Sequence, residues 1–307
     1  MPPEARHQFH DCHLKSAVRT ARPCTLPSRI VIVAVVAILV IVLDLDPALD
    51  NGCQCSSLPK LCTPEVRESC TKAGGTTASA CLQTPCIGVI RSSEADDVFR
   101  NAMIDGHNKY RRSGFQNWTA SNMIKMEWDE ALAVTGLRYI NDLCARHAFE
   151  HDSNGCRVLS SMNSVGQNLY RIKTRNSALL SGSKLAQSAM RAWMSEEANT
   201  TAEMVFPFKV TQVKIGHFTQ MLWATSYLVG CAYNAYTKDR RNYAVVVCNY
   251  SRAGNHVGHY MFKIGPNATK CVNGTRPDAT GGLCKVVDEA KLRKAIRLRR
   301  LTQSKHY

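Results

Sequence analysis

The chain lacks the short motifs that most often give a hydrolase away. No His-Glu-x-x-His and no Gly-x-Ser-x-Gly occurs in its 307 residues, which excludes a helix-borne zinc protease and a serine nucleophile elbow. It also lacks a long apolar run. The unbroken apolar stretch Ile30–Leu43 has fourteen residues, about 21 Å of helix against a hydrocarbon core of about 30 Å. A small-x-small cleavage site is missing after it, since Asp46-Pro47-Ala48 and Asp50-Asn51-Gly52 both fit poorly. The stretch therefore reads either as a signal-peptide h-region or as an uncleaved signal anchor. In both readings Arg6, Lys15, Arg19, Arg22 and Arg29 keep residues 1–29 cytosolic and send the rest outward. Cys12 and Cys24 would then stay reduced. Acidic residues are few, 24 against 39 Lys and Arg.

What is abundant is cysteine, fourteen in all, a density that belongs to an oxidising compartment. Five Asn-x-Ser/Thr sequons point the same way, at Asn117, Asn199, Asn249, Asn267 and Asn273. Asn249 falls in an expected strand and is expected to stay unmodified. Residues 1–52 hold five basic and five acidic side chains, so the net charge of +15 lies wholly beyond them. Residues 285–307 carry eight basic against two acidic. Such a surplus favours sulfated glycans or phospholipid headgroups, or is simply a solvated basic tail. Nucleic acid is the poor third reading, because sequons and cysteines put the protein outside the cell.

Residues 53–93 hold Cys53, Cys55, Cys62, Cys70, Cys81 and Cys86 among Gly, Pro, Ser and Thr. With few large apolar residues this segment cannot build its own core, and disulfides must order it. Zinc is the competing reading, weakened because no Cys-x-x-Cys pair occurs there. From Ser93 the pattern turns helical. Ser93 is the expected cap, and Val98, Phe99, Ala102, Met103 and Tyr110 form an amphipathic stripe. A second helix starts from Asp129 as N-cap and runs through Leu137, Ile140 and Cys144. A third spans roughly 183–198, with Leu185, Ala189, Ala192 and Trp193 on one face. Segments 229–236 and 242–250 read as a β-hairpin. A turn at Asp239-Arg240 makes paired residue numbers sum to 479, which sets Cys231 opposite Cys248 and Tyr236 opposite Tyr243.

Two segments carry a family resemblance. Gly216-His217-Phe218-Thr219-Gln220-Met221-Leu222-Trp223-Ala224-Thr225-Ser226 and Val245-Val246-Val247-Cys248-Asn249-Tyr250-Ser251-Arg252-Ala253-Gly254-Asn255 resemble the two signatures of the CAP superfamily. That superfamily groups cysteine-rich secretory, antigen 5 and pathogenesis-related 1 proteins. The second segment departs at His256, where the family prefers an apolar residue, Asp or Asn. His107-Asn108-Lys109-Tyr110-Arg111 and the segment Met123–Ala133 resemble the family's first-helix motif and the start of its second helix. The resemblance covers residues 94–265. It implies an α+β fold, a three-layer α-β-α sandwich, here with a disulfide-rich N-terminal extension at 53–93 and a C-terminal disulfide loop and basic tail at 266–307. It pairs Cys231 with Cys248. Cys271 and Cys284 most simply bridge each other, and Cys144 and Cys156 would each join one of the six upstream cysteines, as antigen 5 proteins tie their N-terminal segment down.

The resemblance also implies a cleft built from two histidines and two acids, whose positions here read His151, Gln167, Glu196 and His217. Two imidazoles and a carboxylate suit Zn²⁺ or a similar cation, with His151, Glu196 and His217 as the ligands. Gln167 removes one negative charge and cannot act as a base. Val165-Gly166-Gln167-Asn168 is nearest the antigen 5 branch, where Gly-Gln-Asn is common. A plainer role competes: the histidines hydrogen-bond Glu196 and the backbone and hold the cleft walls together. Neither Ser226 nor Ser251 sits in a nucleophile elbow. The expected protein is thus secreted or anchored through residues 30–43, glycosylated at Asn117, Asn199, Asn267 and Asn273, needs no cofactor, and binds lipids or sterols, sulfated glycans or host proteins. The rival expectation is a metal-dependent hydrolase using His151, Glu196 and His217.

Overall fold

The computed structural model describes residues 61–303 apart from Ala95 and Thr280, with side chains to Leu298. The expectations for residues 1–29 and 30–43, and for Cys12, Cys24, Cys53 and Cys55, lie outside the described residues. Among the described residues no helix is long and apolar enough to cross a membrane.

In chain order the elements are α1 (Pro64–Lys72), β1 (Val89–Ser92), α2 (Asp97–Ser113), β2 (Glu127–Trp128), α3 (Glu130–Arg146), β3 (Val165–Thr174), α4 (Gly182–Met194), α5 (Ala202–Val205), α6 (Gly216–Met221), β4 (Leu228–Lys238), β5 (Arg241–Ser251), β6 (Thr275–Pro277), β7 (Cys284–Val286) and α7 (Glu289–Gln303). The main sheet has the order β1-β4-β5-β3, antiparallel throughout, with the short β2 running parallel beside β4. Period-two alternation sends alternate residues to opposite faces. Val229, Cys231, Tyr233 and Ala235 of β4 and Ala244, Val246, Cys248 and Tyr250 of β5 join the large core under α2, α4 and α6. Ala232, Val245 and Val247 face the other way, onto Ile140 and Cys144 of α3. Helices thus cover both faces, giving the three-layer α-β-α sandwich.

The hairpin pairs in the register that the Asp239-Arg240 turn predicts, with Cys231 opposite Cys248 and Tyr236 opposite Tyr243. The two tyrosine rings stack with centroids 5.6 Å apart. Asp239 and Arg240 turn with φ of 49° and 58°, both left-handed, as a two-residue hairpin turn requires. Gly230 lies where α3 starts against β4, and a Cβ there would run into the backbone of Ala133 and Asp129.

Three helical expectations need correction. Asp96, not Ser93, caps α2, its carboxylate accepting from Phe99 N at 2.9 Å. Val98 points to solvent, 64% exposed, because the buried face of α2 runs Phe99, Met103, His107, Arg111, each four residues on. The third helix ends at Met194, and Ser195–Asn199 tightens into a 3₁₀ turn. Ala192 is exposed because the buried face of α4 runs through Leu185, Ala186, Ala189, Met190 and Trp193. Asp129 does cap α3, accepting from Leu132 N at 2.9 Å.

The segment before the sandwich has no core of its own. Val66, Cys70, Ala78 and Ala80 pack on Leu132, Leu159, Met162 and Val165, and β1 forms an edge of the main sheet. Disulfides join Cys62 to Cys81, Cys70 to Cys156 and Cys86 to Cys144. Cys231 is bonded to Cys248 and Cys271 to Cys284. The basic C-terminal helix is docked: Leu292 and Ile296, four apart on α7, are buried against Ile124, Tyr227 and Val272.

One buried cation holds the loops beneath the sheet. Arg111 is fully buried, and its guanidinium donates to the carbonyls of Ile124, Met221, Trp223, Ala224 and Ser226 at 2.6–3.2 Å. Burial pulls its pKa down to about 9. Four residues earlier His107, also fully buried, donates from Nδ1 to the Met103 carbonyl at 2.7 Å and accepts at Nε2 from the Tyr250 hydroxyl at 2.9 Å.

Replacing Arg111 by Met leaves buried carbonyls without donors, and is expected to cost about 3–5 kcal/mol in urea unfolding. Arg111→Lys loses the planar fork and is expected to recover only part of that. Burial also holds His107 at about 4 in the folded protein, below its ordinary 6.5. The unfolded chain therefore binds the extra proton between those values. This contribution is fully present above pH 6.5 and is lost as pH falls toward 4, by about 3 kcal/mol. His107→Gln is expected to flatten that part of the stability profile, measured as chemical unfolding from pH 7 to pH 4.

Candidate functional site

The four cleft residues come from four different elements. His151 follows α3, whose last residue is Arg146; His147 terminates it with φ 56°, so His147 and His151 do not share a helix face. Tyr139 of α3 donates its hydroxyl to the Glu150 carbonyl at 2.7 Å, and Asp152 accepts from Ser79 and Arg157. These bonds pin the residues on either side of His151. Gln167 lies in β3 and is 8% exposed. Glu196 sits in the 3₁₀ turn after α4, and His217 in the first turn of α6.

The structure brings all four together. Glu196 Oε1 accepts from His217 Nδ1 at 2.7 Å, while Oε2 accepts from the His217 and Phe218 amides at 2.8 and 3.0 Å. The carboxylate thus caps α6, where backbone N–H groups favour negative charge. Burial alone would raise the Glu196 pKa, but the His217 ring and the two amides hold it below the usual carboxylate value. His151 donates from Nδ1 to Gln167 Oε1 at 2.8 Å, and Gln167 Nε2 donates to Asn249 Oδ1 at 3.3 Å. Partial desolvation keeps the His151 pKa below its ordinary value, with Arg157 and His217 acting the same way. The two imidazole rings stand 6.2 Å apart, tilted by 33°, and His217 stacks on Trp193 at 6.3 Å.

This geometry bears on metal. Both Nδ1 atoms are engaged, so each histidine offers only Nε2. All of Glu196 faces His217 and the α6 amides rather than a shared point. Among the described residues no three His, Cys, Asp or Glu side chains form a group able to hold a metal ion. Closed tetrahedral zinc needs four ligands, and two imidazole nitrogens fall short of that. The residues present do not fit a resident zinc site.

Sequence reasoning overlooked the layer beneath. Asn168 donates both to the His217 carbonyl at 3.0 Å and to the Tyr250 hydroxyl at 3.3 Å, and Tyr250 passes the chain on to His107. The signal was legible as His107 and Arg111 continuing the four-residue spacing of Phe99 and Met103. The two signature segments also bond to each other. Thr219 Oγ1 donates to Asn255 Oδ1 at 2.7 Å, and Gln220 accepts from the Gly254 amide while donating to Ser226. Ser226 is fully buried and donates to the Arg252 carbonyl at 2.6 Å, which rules it out as a nucleophile. The open side of the cleft encloses about 370 Å³, with Lys209, Val210 and Lys214 on its lip. Val210 is 81% exposed.

Comparison with known proteins follows this geometry. The profile described as CAP: Cysteine-rich secretory protein family matches residues 104–250. Venom allergen 5 of Tityus serrulatus is 33% identical over 195 residues, 61% of this chain and 44% of that protein. A cysteine-rich venom protein of the same organism is 31% identical over 229 residues, 74% of this chain and 50% of that protein. The chain therefore spans about half the length of these two relatives. Among solved structures, that of Na-ASP-1 is 26% identical, covers 61% of this chain and 47% of its own, and superposes with a TM-score of 0.49. Over residues 104–250 the chain thus carries a CAP domain, similar to those of the cysteine-rich secretory and venom allergen 5 proteins.

Proposed function

We propose that this is an extracellular CAP-domain protein of antigen 5 type, a binder rather than an enzyme. Its CAP domain spans residues 94–265, preceded by the cysteine-rich extension at 53–93 and followed by the disulfide loop and basic tail at 266–307. The observation that carries the reading is the state of Glu196. Its carboxylate accepts from the His217 ring and two α6 amides, so it acts first as a structural clamp on His217 and α6. Gln167 supports the same view, because a neutral amide accepts a hydrogen bond from His151 without supplying charge. Catalysis asks for an activated nucleophile beside a base. His217, held by Glu196, could serve as a base, but among the described residues no serine, threonine or cysteine side chain bonds to either imidazole. What remains is a fixed rim of imidazole Nε2 atoms with an apolar and basic lip, suited to holding a ligand. Five disulfides among the described residues support an oxidising destination.

Thermal unfolding with excess Zn²⁺, in the wild type and in His217→Ala, tests the cleft. Little or no His217-dependent stabilisation is expected, with no turnover of a peptide and ester panel. Gln167→Glu, which restores an anionic oxygen beside His151, is expected to increase zinc stabilisation. Turnover that disappears in His217→Ala would overturn the binding reading. The extracellular destination has its own test, mass mapping after glycosidase treatment of protein secreted from a eukaryotic host. Asn117, Asn199 and Asn273 are exposed, and their occupancy is expected. Asn249 is 1% exposed and is expected to stay bare. Asn267 is half-buried and its amide donates to the Arg112 carbonyl at 3.2 Å, so lower occupancy is expected there. Bare asparagines at all of these sites would count against secretion.

A further inference from the structure

A second concavity lies between α7, the 160–164 loop and the end of β5, and shares no lining residue with the His151–His217 cleft. It encloses about 730 Å³. Among the described residues four cations line it, Arg252, Arg293, Lys294 and Arg297, and no Asp or Glu does. The acid nearest in sequence, Glu289, is already bonded to Arg293 at 2.9 Å and to the Tyr227 hydroxyl at 2.9 Å. The opposite wall is built of hydroxyls, from Ser160, Ser161 and Ser164. That wall is fixed: Leu159 and Met162 exchange backbone hydrogen bonds at 3.0 and 2.8 Å, and Arg293 reaches across to the Ser161 carbonyl at 3.2 Å. Arg252 Nε is buried with no hydrogen-bond partner among the described residues. Burial, and Arg293 beside it, hold the Arg252 pKa below its ordinary value.

We infer that this cleft binds the sulfate groups of a sulfated polysaccharide. Four like charges gathered beside serine hydroxyls, with no acid among the described lining residues, form a site that an anion completes. Guanidinium forks match tetrahedral oxyanions in charge and geometry, and the serine hydroxyls add neutral donors. A membrane surface is the poorer occupant. A helix that lies on a bilayer needs a free apolar face, whereas α7 turns Leu292 and Ile296 into the protein. The inference rests on the extracellular destination proposed above, but not on what the histidine cleft does.

Heparin is the probe, with chemically desulfated heparin and phosphatidylserine vesicles as the other arms. Two charge-matched variants of the disulfide-bonded protein are compared. One is R293Q/K294Q/R297Q in the cleft. The other is K238Q/R240Q/R241Q at the far tip of the β4–β5 hairpin, about 33 Å of strand away. The cleft variant is expected to bind heparin about tenfold or more weakly, and the tip variant to change less than about twofold. K294Q/R297Q leaves the Arg293 contacts to Glu289 and Ser161 in place and is expected to lose a smaller share in the same direction, with unchanged thermal stability. Desulfated heparin is expected not to bind. Equal losses in the two triple variants would reduce the effect to net charge and overturn the site. So would an unweakened cleft variant, or cleft-dependent binding to vesicles in preference to heparin. Sequon occupancy reads the destination separately, so weak heparin binding by a glycosylated protein counts against the cleft alone.

Discussion

The structure depends on the burial of one guanidinium. Arg111 has no surface of its own, and its N–H groups reach the carbonyls of Ile124, of Met221 at the end of α6, and of Trp223, Ala224 and Ser226 in the loop after it. Loops carry backbone groups that a core cannot leave unpaired. A fork of five donors meets that need from one side chain. The segment that follows α6 is thereby drawn under the sheet, and with it Trp223, Ala224 and Ser226 become core. The burial lowers the pKa of Arg111, so the arrangement is costly as well as ordering.

From that centre the order passes outward to the cleft. Gln220 and Ser226 bond the first signature segment to the second, and Asn168 ties the His217 carbonyl to Tyr250 and so to His107. Glu196 then closes α6 from outside. Every polar group behind the rim is engaged before any ligand arrives. Such a surface is preorganised, which lowers the cost of binding, and the groups it leaves open are the Nε2 atoms of His151 and His217. The same order explains why the amide of Gln167 is tolerated where a carboxylate would stand: its oxygen serves His151 and its nitrogen serves Asn249.

The sandwich was legible in the sequence because its signals are periodic and local. The hairpin register followed from one turn position, and Asp129 could be read as the cap of a helix whose start the family resemblance marked. The signature segments named the family, and His151, Gln167, Glu196 and His217 followed from that resemblance rather than from any spacing. What stayed hidden depended on tertiary context. Val98 looks like a core residue, but the buried face of α2 runs one residue along, through Phe99, Met103, His107 and Arg111. Ser93 looks like a cap, but Asp96 lies closer to the first free amide. The basic tail could not reveal its cleft, because the hydroxyl wall that faces it comes from residues 160–164, far away in the chain.

The most direct measurement of this account is native-state amide hydrogen exchange, residue by residue. The amides of Phe218, Ala224 and Tyr227 accompany loops and a short helix, yet they bond to Glu196, to Met261 and to Ser251 within the Arg111 centre. The account predicts that they exchange as slowly as the amides of β4 and β5, through global unfolding. Exchange at ordinary loop rates, while the strands remain protected, would contradict it.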